Sequence, residues 1–177
     1  MRNWFYEQMA MYTAYHMDWR NKLTHQIGVP MIVFSLFILA STVQVATLEV
    51  GPLTLAAVLM AGLVLFYIAA VPLIGTLAAL IYGLLLFYAE QIGRLEMPLV
   101  WQAFGVFFVG GWAIQFTGHF YEGRKPALFD NILQIFMAPA FLIAEILFIV
   151  KLEQRLKKEI DARVYKYERS SETRSNQ

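Results

Sequence analysis

The feature that most constrains this chain is a nearly unbroken absence of charge. Between Gln26 and Ala89 the only Asp, Glu, Lys or Arg is Glu49. Between Met97 and Tyr121 there is none, and between Asn131 and Val150 only Glu145. About 20 consecutive apolar residues span bilayer hydrocarbon as a helix, and there every backbone polar group must be paired within the protein. The sequence therefore predicts an all-α, polytopic membrane helix bundle. With 59% hydrophobic and 15% charged residues in a chain of 177, little is left for a soluble domain. Cysteine is absent, which excludes disulfides and thiolate metal sites. No cleavable signal peptide is expected, because the first 25 residues carry charge and aromatics and the first apolar run starts late and runs long.

Membrane segments are expected at about 29–48, 52–71, 73–90, 98–118 and 131–150, within a single membrane domain of residues 1–150. Gly51-Pro52 and the stretch from Gly93 to Pro98 read as turns. The run 52–90 would be about 58 Å long as one helix, against hydrocarbon about 30 Å thick. It must fold back, and Val71-Pro72-Leu73-Ile74-Gly75 is its strong breaker. Ala69, Ala70, Gly75, Ala78 and Ala79 would let the two helices pack closely. Residues 2–19 read as an amphipathic interfacial helix, with Phe5, Met9, Tyr12, His16 and Trp19 along one face. Taken alone, that stripe is a membrane anchor on which His16 is one more amphipathic ring.

The chain's three histidines are His16, His25 and His119. At about 100° per residue, Trp112, Gln115, His119 and Glu122 fall within roughly 80° on one helical face. Polar groups inside a hydrophobic span are costly and call for a partner. Four crossings between His25 and His119 return the chain to its starting side, so both are expected at one membrane face. Arg2, Arg20, Lys22, Arg124 and Lys125 share that side, whereas Glu49, Glu90, Arg94 and Glu96 lie opposite, which makes the histidine side cytoplasmic. His16 and His25 would sit about 180° apart on one unbroken helix. They can face a common point only if the helix breaks between them, and Asp18 and Asn21 both favour helix ends. The last run is divided by Pro139 and carries Glu145. A kinked or re-entrant segment is expected, leaving the charged tail 151–177 cytoplasmic, helical to about Tyr167 and disordered from Ser170.

The residues Tyr15-His16, Asn21, His25 and Pro30, then Gln115-Phe116, Gly118-His119, Glu122 and Pro126-Ala127-Leu128, resemble the 2-hydroxy fatty acid dioxygenase family. Asp130-Asn131, Ala138-Pro139, Glu145 and the break at Pro72 extend the resemblance over nearly the whole chain. It implies a membrane enzyme of fatty acid α-oxidation that uses Fe(II) and O₂ to shorten a long-chain 2-hydroxy fatty acid by one carbon. It also implies that His16, His25 and His119 bind the metal. Two departures are visible. Met17 stands where fungal members can carry a second histidine, and two residues separate His119 from Glu122 where those members can show one more.

The chemistry agrees with the resemblance. Imidazole binds Fe, Zn, Cu and Ni, and open coordination positions permit oxygen chemistry. A 2-hydroxy acid chelates through two oxygens and dioxygen needs a further position, so about three of roughly six remain for protein. Glu122, Gln115 and Glu145 are the expected catalytic or outer-shell polar residues. Arg20, Lys22, Arg124 and Lys125 are expected near the fatty acid head group, although each doubles as a topology signal. Trp112 and Tyr15 would pack beside the substrate. Membrane lipids are expected partners, nucleic acid is not, and a homo-oligomer is compatible with the sequence. The expected location is multi-pass in a bacterial inner membrane, or in the endoplasmic reticulum of a eukaryote.

Other classes meet definite obstacles. Membrane di-iron hydroxylases need many more histidines than three. A bis-histidine haem protein would show a Soret band and a porphyrin slot that nothing here specifies. A transporter carries ionisable groups near the midplane, where Glu145 stands alone. The principal alternative is a non-catalytic membrane-shaping or lipid-binding hairpin protein, which would have no use for His119 on a polar stripe.

Overall fold

The computed structural model describes residues 1–49, 51–123 and 131–175, with side chains described as far as Tyr167. Seven helices dominate it: α1 (Arg2–Tyr15), α2 (Trp19–Ser41), α3 (Leu55–Ala70), α4 (Pro72–Gly93), α5 (Met97–Glu122), α6 (Gln134–Ile149) and α7 (Gln154–Ser175). Three of them, α2, α4 and α5, are long and apolar enough to cross a membrane. The apolar α3 is shorter, and α6 and α7 form a pair bent by 116°. The all-α membrane bundle expected from the charge-free runs is the observed architecture.

Its central contact is the antiparallel pair α2 and α5. A Cβ at Gly28 would lie 2.8 Å from the Gly111 carbonyl oxygen and from Gln115 Cγ, and one at Gly111 would lie 2.8 Å from Ile32 Cγ1. Only glycines allow the two backbones to approach this closely. The approach sets the first turns of α2, which hold His25, against the last turns of α5, which hold His119. The break at Val71 is as expected. Val71 is extended (φ −143°, ψ 100°), it caps both α3 and α4, and Pro72 opens α4.

The run 29–48 ends differently from the expectation. α2 stops at Ser41, and β1 (Gln44–Leu48) pairs antiparallel with β2 (Gly51–Thr54), Ala46 opposite Leu53 and Leu48 opposite Gly51. Val43, Val45 and Thr47 are β-branched and favour extended backbone, but a charge-free run does not separate a strand from a helix end. Thr54 then caps α3, accepting the Ala57 N–H at 3.2 Å and donating to Glu90 Oε1 at 2.9 Å.

α1 ends at Tyr15, so the expected stripe stops one turn early. Phe5, Met9 and Tyr12 are buried inside the protein, with Phe5 against Phe66 and Tyr67 and Tyr12 against Phe141. Trp19, expected on the same stripe, is 69% exposed, because the chain turns before it and starts a new helix.

The last apolar run forms α6, which is sharply bent against α7, by 116°. Near its start, Gln134 donates to Gln8 of α1, and Glu145 pairs with Lys22 at the start of α2. The turn Glu153 to Leu156 lies beside Arg2 and the break at Ala70 to Pro72. α7 then returns along α1, where Glu7 meets Lys166 and Tyr167 at 2.8 Å each and Arg163 at 3.3 Å. α7 continues to Ser175, past the Tyr167 limit and into the residues expected to be disordered. Its Glu and Arg residues are ordinary helix formers.

Candidate metal centre

The three histidines converge. His16 follows the last residue of α1, and the chain turns through Met17 and Asp18 before α2 begins at Trp19, which is the break that the spacing required. His16 Nδ1 lies 2.7 Å from the Tyr12 carbonyl oxygen, and His25 Nδ1 lies 2.9 Å from that of Asn21. A carbonyl oxygen only accepts, so each Nδ1 carries the hydrogen and each Nε2 is left as an acceptor. The two Nε2 atoms face each other at 3.1 Å. Two lone pairs at that separation repel unless a cation lies between them. Donors bound about 2.1 Å from one metal at a right angle would be about 3 Å apart, so the pair fits adjacent positions on an ion. The His119 ring centroid lies 4.9 Å from that of His25 and 5.3 Å from that of His16. One nitrogen from each ring falls within 4.8 Å of the others.

Burial supports the same use. His16, His25 and His119 are 1%, 1% and 6% exposed. Burial first, and then the neighbouring His25, hold His16 well below the ordinary histidine range. It is therefore neutral near pH 7, as a metal-binding imidazole must be. Tyr12 stacks on its ring, with centroids 4.1 Å apart and planes at 9°. The donor set is nitrogen only, without sulfur, which suits iron, zinc or copper rather than calcium or magnesium.

Glu122 clamps this arrangement. One carboxylate oxygen accepts the Met17 N–H at 3.0 Å, and the other accepts the Asp18 N–H at 2.9 Å and Asn21 Nδ2–H at 3.0 Å. An anion at the N-terminus of α2 also meets the positive end of that helix. Gly123, left-handed at φ 68°, ends α5 directly after Glu122. The last turn of the helix carrying His119 is thereby tied to the segment carrying His16 and His25. Glu122, expected beside a histidine, instead bonds backbone and Asn21. Among the described residues, Asn21 Oδ1 has no hydrogen-bond partner.

A cavity of about 310 Å³ runs from the histidines along α2 and α5. Val29, Ile32, Val33 and Leu36 line it from α2, and Phe108, Trp112 and Gln115 from α5. Tyr12, Gln134, Ile135 and Ala138 complete the wall. Trp112 and Gln115 are thus where the stripe placed them, while Tyr15 is buried but does not line the cavity. Lys22 lies 2.7 Å from Glu145, with its ammonium 6.0 Å from the Phe141 ring, which in turn lies 5.8 Å from His16. Arg20 turns away to Asp18, at 2.7 Å, and over the Tyr121 ring, at 4.4 Å. Arg124 and Lys125 lie outside the described residues.

Two polar cavity residues, Tyr12 and Gln134, escaped the sequence reading. Tyr12 carries a legible signal, standing one turn before His16 on the same stripe. Gln134 is a lone amide in an apolar run, the same kind of signal that singled out Gln115. Its amide donates to Gln8 Oε1 at 2.7 Å, which also accepts from Asn131 at 2.9 Å.

The fold and the site define a class: a helical membrane protein with a buried three-histidine centre, suited to a transition metal, at the head of an apolar cavity. Residues 2–150 match the model of the family described as Mpo1-like, 2-hydroxy-palmitic acid dioxygenase Mpo1-like. The chain belongs to this family. It is 36% identical over 152 residues to the 2-hydroxy-palmitic acid dioxygenase MPO1 of Saccharomyces cerevisiae, an alignment covering 85% of this chain and 83% of that protein. No solved structure matches the chain.

Proposed function

We propose that this protein is an Fe(II)-dependent dioxygenase that uses O₂ to shorten long-chain 2-hydroxy fatty acids by one carbon. The observation that carries the reading is the convergence of three buried imidazoles, from the α1–α2 link, α2 and α5, at the head of an apolar cavity. Family membership and the yeast relative's name supply the substrate class. The concentration of Arg2, Arg20, Lys22 and the basic α7 at the histidine end supports a cytoplasmic active site.

His16 and His25 would hold the iron through Nε2, with His119 as the third protein ligand. Iron bound there would supply the activation of dioxygen toward a closed-shell organic acid. The Tyr12 and Asn21 carbonyls keep both Nε2 atoms free of hydrogen and aimed inward. Glu122 acts by positioning, since both of its oxygens are engaged with the start of α2. Lys22 lies 6.0 Å from the Phe141 ring that borders His16, and in this reading it meets the carboxylate of the acid, with Glu145 holding it in place. Gln115 bounds the head of the cavity, where the 2-hydroxyl would lie, and Trp112 lines its wall further along α5. Apolar walls exclude water from the reacting end.

The test uses detergent-purified protein loaded anaerobically with Fe(II). Wild type is expected to retain about one iron per chain, to take up oxygen with a long-chain 2-hydroxy acid, and to give a product one carbon shorter by mass spectrometry. Wild type that retains no iron would overturn the metal assignment. Iron-loaded protein that leaves every 2-hydroxy acid intact would overturn the reaction.

A further inference from the structure

The cavity is polar at one end only. The histidines and Gln115 gather at its head, beyond them its walls on α2 and α5 are apolar, and the Gln134 amide of α6 turns to Gln8. Leu36 lies eleven residues beyond His25, and Phe108 eleven before His119. At about 1.5 Å per residue the slot is therefore roughly 16 Å long. Three chain bonds advance at most about 3.6 Å when extended, so the slot accommodates an acyl segment of about 13 carbons.

Its two ends differ in access. Among the described residues the histidine end is closed: the three rings are buried, and Glu122 seals the Met17 to Asn21 segment against α5. The side wall is open. Leu36 and Ile135 line the cavity and are each 43% exposed. Leu36 lies well inside α2, a helix long and apolar enough to span the membrane. Its exposed face therefore meets lipid, not water.

We propose that the cavity is a lateral cleft, loaded from the acyl layer of the membrane, with Leu36 at its mouth. About 13 carbons next to the head group lie between α2 and α5, and the remaining tail stays in lipid. The cleft then sets a minimum chain length and no maximum. This rests on the 2-hydroxy fatty acid reading above.

The experiment is competition against a radiolabelled long-chain 2-hydroxy acid on anaerobic, Fe(II)-loaded protein in lipid nanodiscs, so that binding is read without turnover. The competitors carry a bulky fluorophore at the terminal methyl of a chain of about 8 or about 18 carbons, one shorter and one longer than the slot. The long tagged acid is expected to bind within about twofold of its untagged parent. The short one is expected to bind at least about tenfold more weakly, because a tag inside a packed slot has no room. Leu36→Trp, a substitution at an exposed position, is expected to weaken binding of the long acid with iron content unchanged. Exclusion of the long tagged acid would show a closed pocket, and equal binding of both would place the chain outside the slot. Either result overturns the cleft while the substrate class stands. If untagged acids do not bind at all, the substrate class itself falls, and the cleft with it.

Discussion

The two ends of the bundle solve the same problem differently. At the hairpin end, α2 is followed by β1, whose five residues are all exposed, and the turn back into α3 is satisfied locally by Thr54. At the histidine end, α1, α2 and α5 all terminate among buried polar groups. The free N–H groups lie at the start of α2, and those of Met17 and Asp18 are met by Glu122, from a distant part of the chain. Thr54 joins the start of α3 to the neighbouring α4 through Glu90, whereas Glu122 joins the end of α5 to the α1–α2 link about a hundred residues away. The first arrangement serves a connection that needs only to turn, and the second serves a site whose nitrogen atoms must meet.

That contrast can be broken most severely at the ligands. His25→Ala is expected to abolish iron retention and activity together, read by metal analysis beside oxygen uptake. His16→Ala and His119→Ala should do the same, and a variant that keeps full iron would remove that residue from the centre.

The next effect belongs to the clamp. Glu122→Ala leaves the Met17 and Asp18 N–H groups without their acceptor, so iron affinity should fall about 10- to 100-fold, as for other outer-shell partners. Glu122→Gln, which keeps an acceptor but no charge, should fall between. Competitive metal titration measures both. An unchanged affinity in Glu122→Ala would mean that the histidines are held by packing alone.

The matching change at the hairpin end should be smaller and confined to stability. Thr54→Ala removes a helix cap, worth about 1 kcal/mol, and should lower the melting temperature in detergent while leaving iron affinity at its wild-type value. A loss of iron there would contradict the separation of the two ends.

The smallest effect is in the acid range. The Arg20 side chain beside Asp18 holds its carboxyl at about 2, below its ordinary 3.8. A depressed carboxyl pKa contributes stability that is present above about 3.8 and is lost as pH falls toward 2. Asp18→Asn should remove that part of the acid sensitivity between pH 4 and 2, measured by thermal melts across the range. Because the Asp18–Arg20 pair is only partly buried, the difference should shrink further in high salt.

Much of the fold was legible because hydrocarbon offers no hydrogen-bond partners. Long charge-free runs must be helices or be covered, and Val71-Pro72 was the only place where the run 52–90 could turn back. The site was legible in part for the same reason: Gln115 and His119 stood out because they interrupt an apolar face. The hairpin was not legible, since β-branched residues at the end of an apolar run look alike as helix or strand. Gln134 was passed over because its partner, Gln8, lies 126 residues away. Glu122 was singled out as an outer-shell residue, but its partners were not, because helical periodicity gives the face on which a side chain stands and not the group it reaches.

By itself, then, the sequence determined that this is a membrane bundle, that His25 and His119 return to one face, and that a break must separate His16 from His25. These follow from residue spacing and from the cost of polar groups in lipid. Tertiary structure decided which atoms meet. The depth and rotation of α2 against α5 are set by the close approach at Gly28 and Gly111, and they bring the His25 and His119 ring centroids to 4.9 Å and place Glu122 on the start of α2. Those relations join residues about a hundred positions apart, where packing and not local periodicity sets the distance.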